Sequence, residues 1–142
     1  MAIRPGQLVT STTPPATDLL VKVVQVARTD TTAFEAFILP KGAVVAGAYV
    51  MGIVASDALT TATIDVGTIP GTSNQIVSGF SVKTSGVGYF VSGATSGAHM
   101  GTQLANDTLY KARYAETGTA STTGGPWLVK VEYYMPQPGY SF

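Results

Sequence analysis

The chain contains no cysteine, which excludes a disulfide framework and any thiolate metal site and fits manufacture in a reducing cytosol. Its one histidine, His99, has no second imidazole or thiolate to join it in a transition-metal centre. Charge is scarce: 11% of the 142 residues are charged, against a usual share of about 25%. Eight basic residues balance eight acidic ones, and the basic ones stand singly at Arg4, Lys22, Arg28, Lys41, Lys83, Lys111, Arg113 and Lys130. Binding to a phosphate backbone needs them clustered, so no nucleic-acid partner is expected. The longest apolar run, Ala43 to Ala55, contains Gly47, Tyr49 and Gly52 and is too short to span a bilayer. Met1 to Gly6 lack the apolar core of a signal peptide, so neither membrane insertion nor export is expected.

What remains is apolar and small. Hydrophobic residues make up 45% of the chain, enough for one domain with a real core. Polarity is carried by 20 Thr and 16 Gly, with 8 Pro cutting the chain into short pieces. Threonine is β-branched and suits a pleated surface, so this mixture points to strands and turns.

The pattern along the chain agrees. Leu19 to Arg28 reads as a first strand whose apolar positions change face between Val23 and Val24, through a bulge or through cover on both sides. Thr32 to Leu39 reads as a second, with Ala33, Glu35 and Phe37 on one face and Phe34, Ala36 and Ile38 on the other. Pro40-Lys41-Gly42 is a turn, and Ala43 to Ala55 has the continuous apolar character of a strand covered on both faces. Ala62, Ile64 and Val66 alternate with Thr63 and Asp65, which places Asp65 outward. Asn74 to Phe80 permits one helical turn capped by Ser73 or Asn74. Val87 to Val91 is a short strand. In Thr108 to Glu116, Tyr110, Ala112 and Tyr114 oppose Lys111 and Arg113. In the last strand Trp127, Val129, Val131, Tyr133 and Met135 face one way, with Lys130 and Glu132 opposite. Seven to nine strands without an amphipathic helix predict an all-β antiparallel sandwich, jelly-roll-like, over residues 18–135.

No catalytic pattern accompanies this fold. His99 lies in a Gly- and Ser-rich stretch with no nucleophile elbow of the G-x-S-x-G kind in the chain. The carboxylates are dispersed; Asp65 and Glu132 fall at outward positions where solvation is expected, and Asp107 reads as turn chemistry. Gly86-Val87-Gly88 leads into a strand, not the helix N-terminus that a phosphate cradle requires, and reads as a turn. No catalytic, cofactor or metal residue is expected.

The ends are a different matter. Residues 1–17 carry Pro14-Pro15, which resists helix and central strand alike, and read either as a loose terminus or as an extended arm that orders by lying on a neighbour. In residues 136–142, Tyr140 and Phe142 follow Pro136 and Pro138 and cannot easily join the chain's own sheet. Such aromatics suit docking on another surface, so Leu8, Pro14, Pro15, Tyr140 and Phe142 are the candidate partner-binding residues.

Three segments in order carry a resemblance: Leu39-Pro40-Lys41-Gly42-Ala43-Val44-Val45, then Thr61-Ala62-Thr63-Ile64-Asp65-Val66-Gly67-Thr68, then Val129-Lys130-Val131-Glu132-Tyr133-Tyr134. Over about residues 20–135 the chain resembles the capsid decoration, or cement, proteins of tailed bacteriophages. The resemblance implies a sandwich assembled in the host cytoplasm that binds the outside of an icosahedral head. There it would bridge major capsid proteins as a homodimer or homotrimer. Low charge and flexible ends fit that role through many weak contacts, and also fit a head-fibre or tail component or a carbohydrate-binding module.

Overall fold

A computed structural model describes residues 19–90, 99 and 101–136. The two arms assigned from sequence, with Leu8, Pro14, Pro15, Tyr140 and Phe142, lie outside the described residues. Eight strands run in chain order: β1 (Leu20–Val26), β2 (Phe34–Leu39), β3 (Val44–Gly52), β4 (Thr61–Gly67), β5 (Val77–Ser81), β6 (Gly86–Phe90), β7 (Thr108–Thr117) and β8 (Trp127–Tyr134). They form two four-stranded sheets, one ordered β1-β8-β3-β6 and the other β2-β7-β4-β5, with every pairing antiparallel. The pairs β1·β8, β2·β7, β3·β6 and β4·β5 nest inside one another and alternate between sheets, which is the winding of a jelly roll.

The inner faces build one core. Tyr110, Ala112 and Tyr114 of β7 and Trp127, Val129, Val131 and Tyr133 of β8 are buried, as their uninterrupted period of two requires. Tyr114 and Trp127 meet across the two sheets, stacked with centroids 5.4 Å apart and planes 7° from parallel. Trp127 lies over Gly52, where any Cβ would overlap its indole ring. Gly88 leaves room for the Phe80 ring in the same way. These contacts correct the reading of Gly86-Val87-Gly88 as a turn: it opens β6, and Gly88 is needed for close packing within a strand.

Bulges account for most other departures. β1 is regular against β8, with Val24 and Val26 inward and Val21 and Val23 on the outer face of an edge strand, so no bulge interrupts it. β2 instead shifts register between Glu35 and Phe37, which brings Phe34 and then Phe37 and Leu39 onto the core. β3 shifts between Val45 and Gly47 and stops at Gly52, so Ile53, placed in a buried strand by its apolar run, is 91% exposed. The helical turn permitted at Asn74 to Phe80 is absent: Val77 to Ser81 form β5, and the Asn74 side chain accepts a hydrogen bond from Gly71 N at 2.8 Å within a loop. The turn at residues 40–42 is as expected, with Gly42 at φ 90° and Ala43 N donating to Pro40 O. Asp107 binds that turn from a distant loop, accepting from Lys41 N at 2.8 Å.

Candidate interaction surface

The polar side chains buried within the fold are engaged in holding it together. Asp65, expected in solvent, is 5% exposed because the loop between β4 and β5 folds over the outer face of the second sheet. Its carboxylate accepts from Arg113 Nη2 at 2.9 Å, Gly79 N at 2.7 Å and Asn74 Nδ2 at 3.3 Å. Glu132 does face outward, but it is half-buried and lies 3.5 Å from Lys130, whose ammonium sits 4.5 Å above the Tyr49 ring.

A second cluster joins Ser56, Tyr114, Glu116 and Ser121. The Tyr114 hydroxyl donates to Glu116 at 2.7 Å and lies 2.7 Å from Ser56 Oγ and 3.3 Å from Ser121 Oγ, while Ser121 N donates to the same carboxylate. Burial pushes the Tyr114 hydroxyl above its ordinary pKa, and the Tyr114 hydrogen bond holds Glu116 below its own. No imidazole stands near Ser56 to activate it; His99 instead makes a 2.5 Å hydrogen bond through Nδ1 with the Tyr110 hydroxyl. Burial pushes His99 down and Tyr110 up. Asp57 accepts from Thr122 Oγ1 at 2.6 Å and from Thr122 N and Thr123 N, which hold its pKa down at about 2. The Tyr114 cluster closes a loop onto a strand, and the Asp57 cluster ties two loops together. Among the described residues no three His, Asp or Glu side chains gather as a metal site, and no helix is long and apolar enough to cross a membrane.

The surface stands out more than any cleft. On the outer face of the first sheet, Met51 pairs across to Leu128 on one side and to Val87 on the other, and Leu128 pairs with Gln25. Leu128, Val87, Val21 and Val23 are all exposed there, Val87 by 71%. Ile53 and Val54 continue this aliphatic surface past the end of β3. Apolar patches of this kind on a small domain mark interaction sites. Sequence reasoning missed this one, although Leu128 on the same face as Lys130 and Glu132 was a signal for it.

The first and last described residues lie elsewhere. Leu20 lies opposite Tyr133, and Met135 approaches Gly42, so Leu19 and Pro136, the outermost described residues, lie at one pole. The Ile53 surface lies at the other, where β8 begins. None of the five partner-binding residues assigned from sequence is thereby placed, since all lie outside the described residues.

No family model and no curated protein matches the chain. A solved structure does: a chain of the "Cyanophage Pam1 capsid asymmetric unit", 24% identical, with a TM-score of 0.55. The likeness covers 84% of this chain and 86% of that one, so the two are of similar length. At that identity the match speaks for architecture: the chain shares its all-β two-sheet fold with a component of a cyanophage capsid asymmetric unit.

Proposed function

We propose that this protein is a structural component of a bacteriophage virion, carried on the outer surface of the head, where it binds the major capsid protein and braces neighbouring subunits. The observation that carries this reading is the fold shared, over nearly the whole length of both chains, with a chain from a capsid asymmetric unit. The order of sheet and turn segments that resembles decoration proteins supports it independently. So does the exposed aliphatic face, which suits contact with other proteins and not chemistry. In this reading the protein works without catalysis, through wide neutral contacts repeated over a lattice and through self-association, and it is assembled in the host cytoplasm.

The test is co-sedimentation of the purified protein with heads that lack it. Saturable binding and greater resistance of the heads to heat or chelation are expected. The carbohydrate-binding alternative forecasts sugar-specific signals on a glycan array instead. Among the described residues the most exposed large apolar side chains are all aliphatic, which favours contact with protein over the stacking of a sugar on a ring. Saturable glycan binding with no affinity for heads would reverse the ranking.

A further inference from the structure

The pole opposite Leu19 and Pro136 carries two hollows side by side. One, of about 460 Å³, is walled by Leu128, Val54 and Pro126, and the other, of about 330 Å³, by Val87, Gly86 and Ser85. Met51, Gly52 and Ile53 line both and form the ridge between them. No charged residue lines either hollow.

We infer that these hollows receive Tyr140 and Phe142 of a second copy of this chain. Chemistry is the first argument: Gln137-Pro138-Gly139-Tyr140-Ser141-Phe142 has no charged side chain, and it matches walls that have none. Spacing is the second. Residues two apart lie on the same side of an extended chain, roughly 6.6 Å from each other. The hollows flank the end of a single strand, β3, whose neighbours β8 and β6 lie about 4.8 Å to either side, so two side chains rooted about 6.6 Å apart need to diverge by only a few ångströms to enter both.

Reach is the third argument, and it decides whose tail is bound. Leu128 stands at the start of β8 and Pro136 just past its end, so at the rise of a strand they are roughly 26 Å apart. Fully extended, Tyr140 gets no more than roughly 14 Å beyond Pro136 and Phe142 roughly 20 Å. Even with its side chain included, Tyr140 stops short of the chain's own hollows, so one tail cannot place both aromatics in the hollows of its own domain. It can do so in a neighbour's. The contact is therefore head-to-tail, which closes into a ring or continues as an open chain. This inference goes beyond the virion reading and does not depend on it.

The experiment is sedimentation equilibrium on the full chain without heads, over a wide concentration range. Wild type is expected to gain mass with concentration. The tail variant Tyr140→Ser/Phe142→Ser and the hollow variant Leu128→Lys are each expected to weaken self-association at least tenfold while melting as wild type does. Val87→Lys takes the place of Leu128→Lys if the latter melts early. Mixing tail and hollow variants should restore a one-to-one complex, because one keeps its hollows and the other its tail. A wild type that stays monomeric throughout would overturn the inference. So would a tail variant that associates as well as wild type, which would mean that the aliphatic faces pack directly on each other. A mixture no better than its components would overturn it too.

Discussion

Trp127→Ala tests the core most directly. The side chain is 1% exposed, stacks on Tyr114 across the two sheets and fills the space above Gly52. Truncating a buried aromatic to alanine costs about 3–5 kcal/mol, lost stacking included. With an unfolding entropy of about 2.1 cal/mol/K per residue, a domain of this length should melt roughly 10–17 °C lower. Trp127→Phe separates the contributions. It retains a stacked ring and removes an indole N–H that is buried without a hydrogen-bond partner, an arrangement that itself costs about 1–3 kcal/mol. Its melting temperature should therefore fall much less than that of the alanine variant. Gly52→Ala supplies the cross-check. In wild type the added methyl overlaps the indole and should destabilise by about 1–3 kcal/mol. In the Trp127→Ala background the same methyl enters vacated space and should be neutral or slightly stabilising, since alanine suits a strand better than glycine. Differential scanning calorimetry on the four proteins of this cycle gives the coupling. Equal effects of Gly52→Ala in both backgrounds would refute the packing argument.

Three further outcomes follow from the same contacts. Val131→Asp puts an unpaired carboxylate into the core and should cost at least as much as Trp127→Ala, or leave no folded protein; unchanged circular dichroism melting would mean that the wrong face of β8 has been assigned to the core. Asp65→Ala leaves Arg113 and Gly79 N without their acceptor and should cost about 2–4 kcal/mol, with faster amide exchange at Gly79 as the local sign. Asp57 and Glu116 titrate lower in the fold than when unfolded, so the stability they add is complete above their ordinary values of 3.8 and 4.5 and is lost as pH falls through the folded values; the melting temperature should drop between pH 4.5 and 2, with a shallower slope in Asp57→Asn.

The strands that show in the sequence are those whose alternation is unbroken. β7 and β8 keep a period of two from end to end, and their inward residues follow from it. β2 carries a bulge, and one inserted residue exchanges the faces of everything beyond it, so a strict alternation sets Phe34 apart from Phe37; Ile53 is misplaced for another reason, because the apolar run continues past Gly52, where β3 ends. Asp65 is harder to foresee. It does point away from the core, as its position in β4 demands, but a loop from further along the chain buries it. The candidate surface was hidden for a related reason. An apolar run shows that residues avoid water somewhere, not where the fold ends their cover: Leu128 is exposed because no other described element covers the outer face of its sheet, and Ile53 because β3 ends at Gly52.

The nesting of the strand pairs also sets an order in time. β4 and β5 are close neighbours in the chain and can pair early, whereas Leu20 must wait for Tyr133. On a ribosome adding about 5–20 residues per second, β1 emerges roughly 6–20 s before the strand that completes it. During that interval Leu-Val-Lys-Val-Val-Gln-Val is an unpaired, valine-rich segment suited to pairing with its like on another nascent chain. Lys22 and Gln25 interrupt it at the positions where an aggregating strand would need apolar side chains. A charge in β1 thus has a use before the sandwich exists.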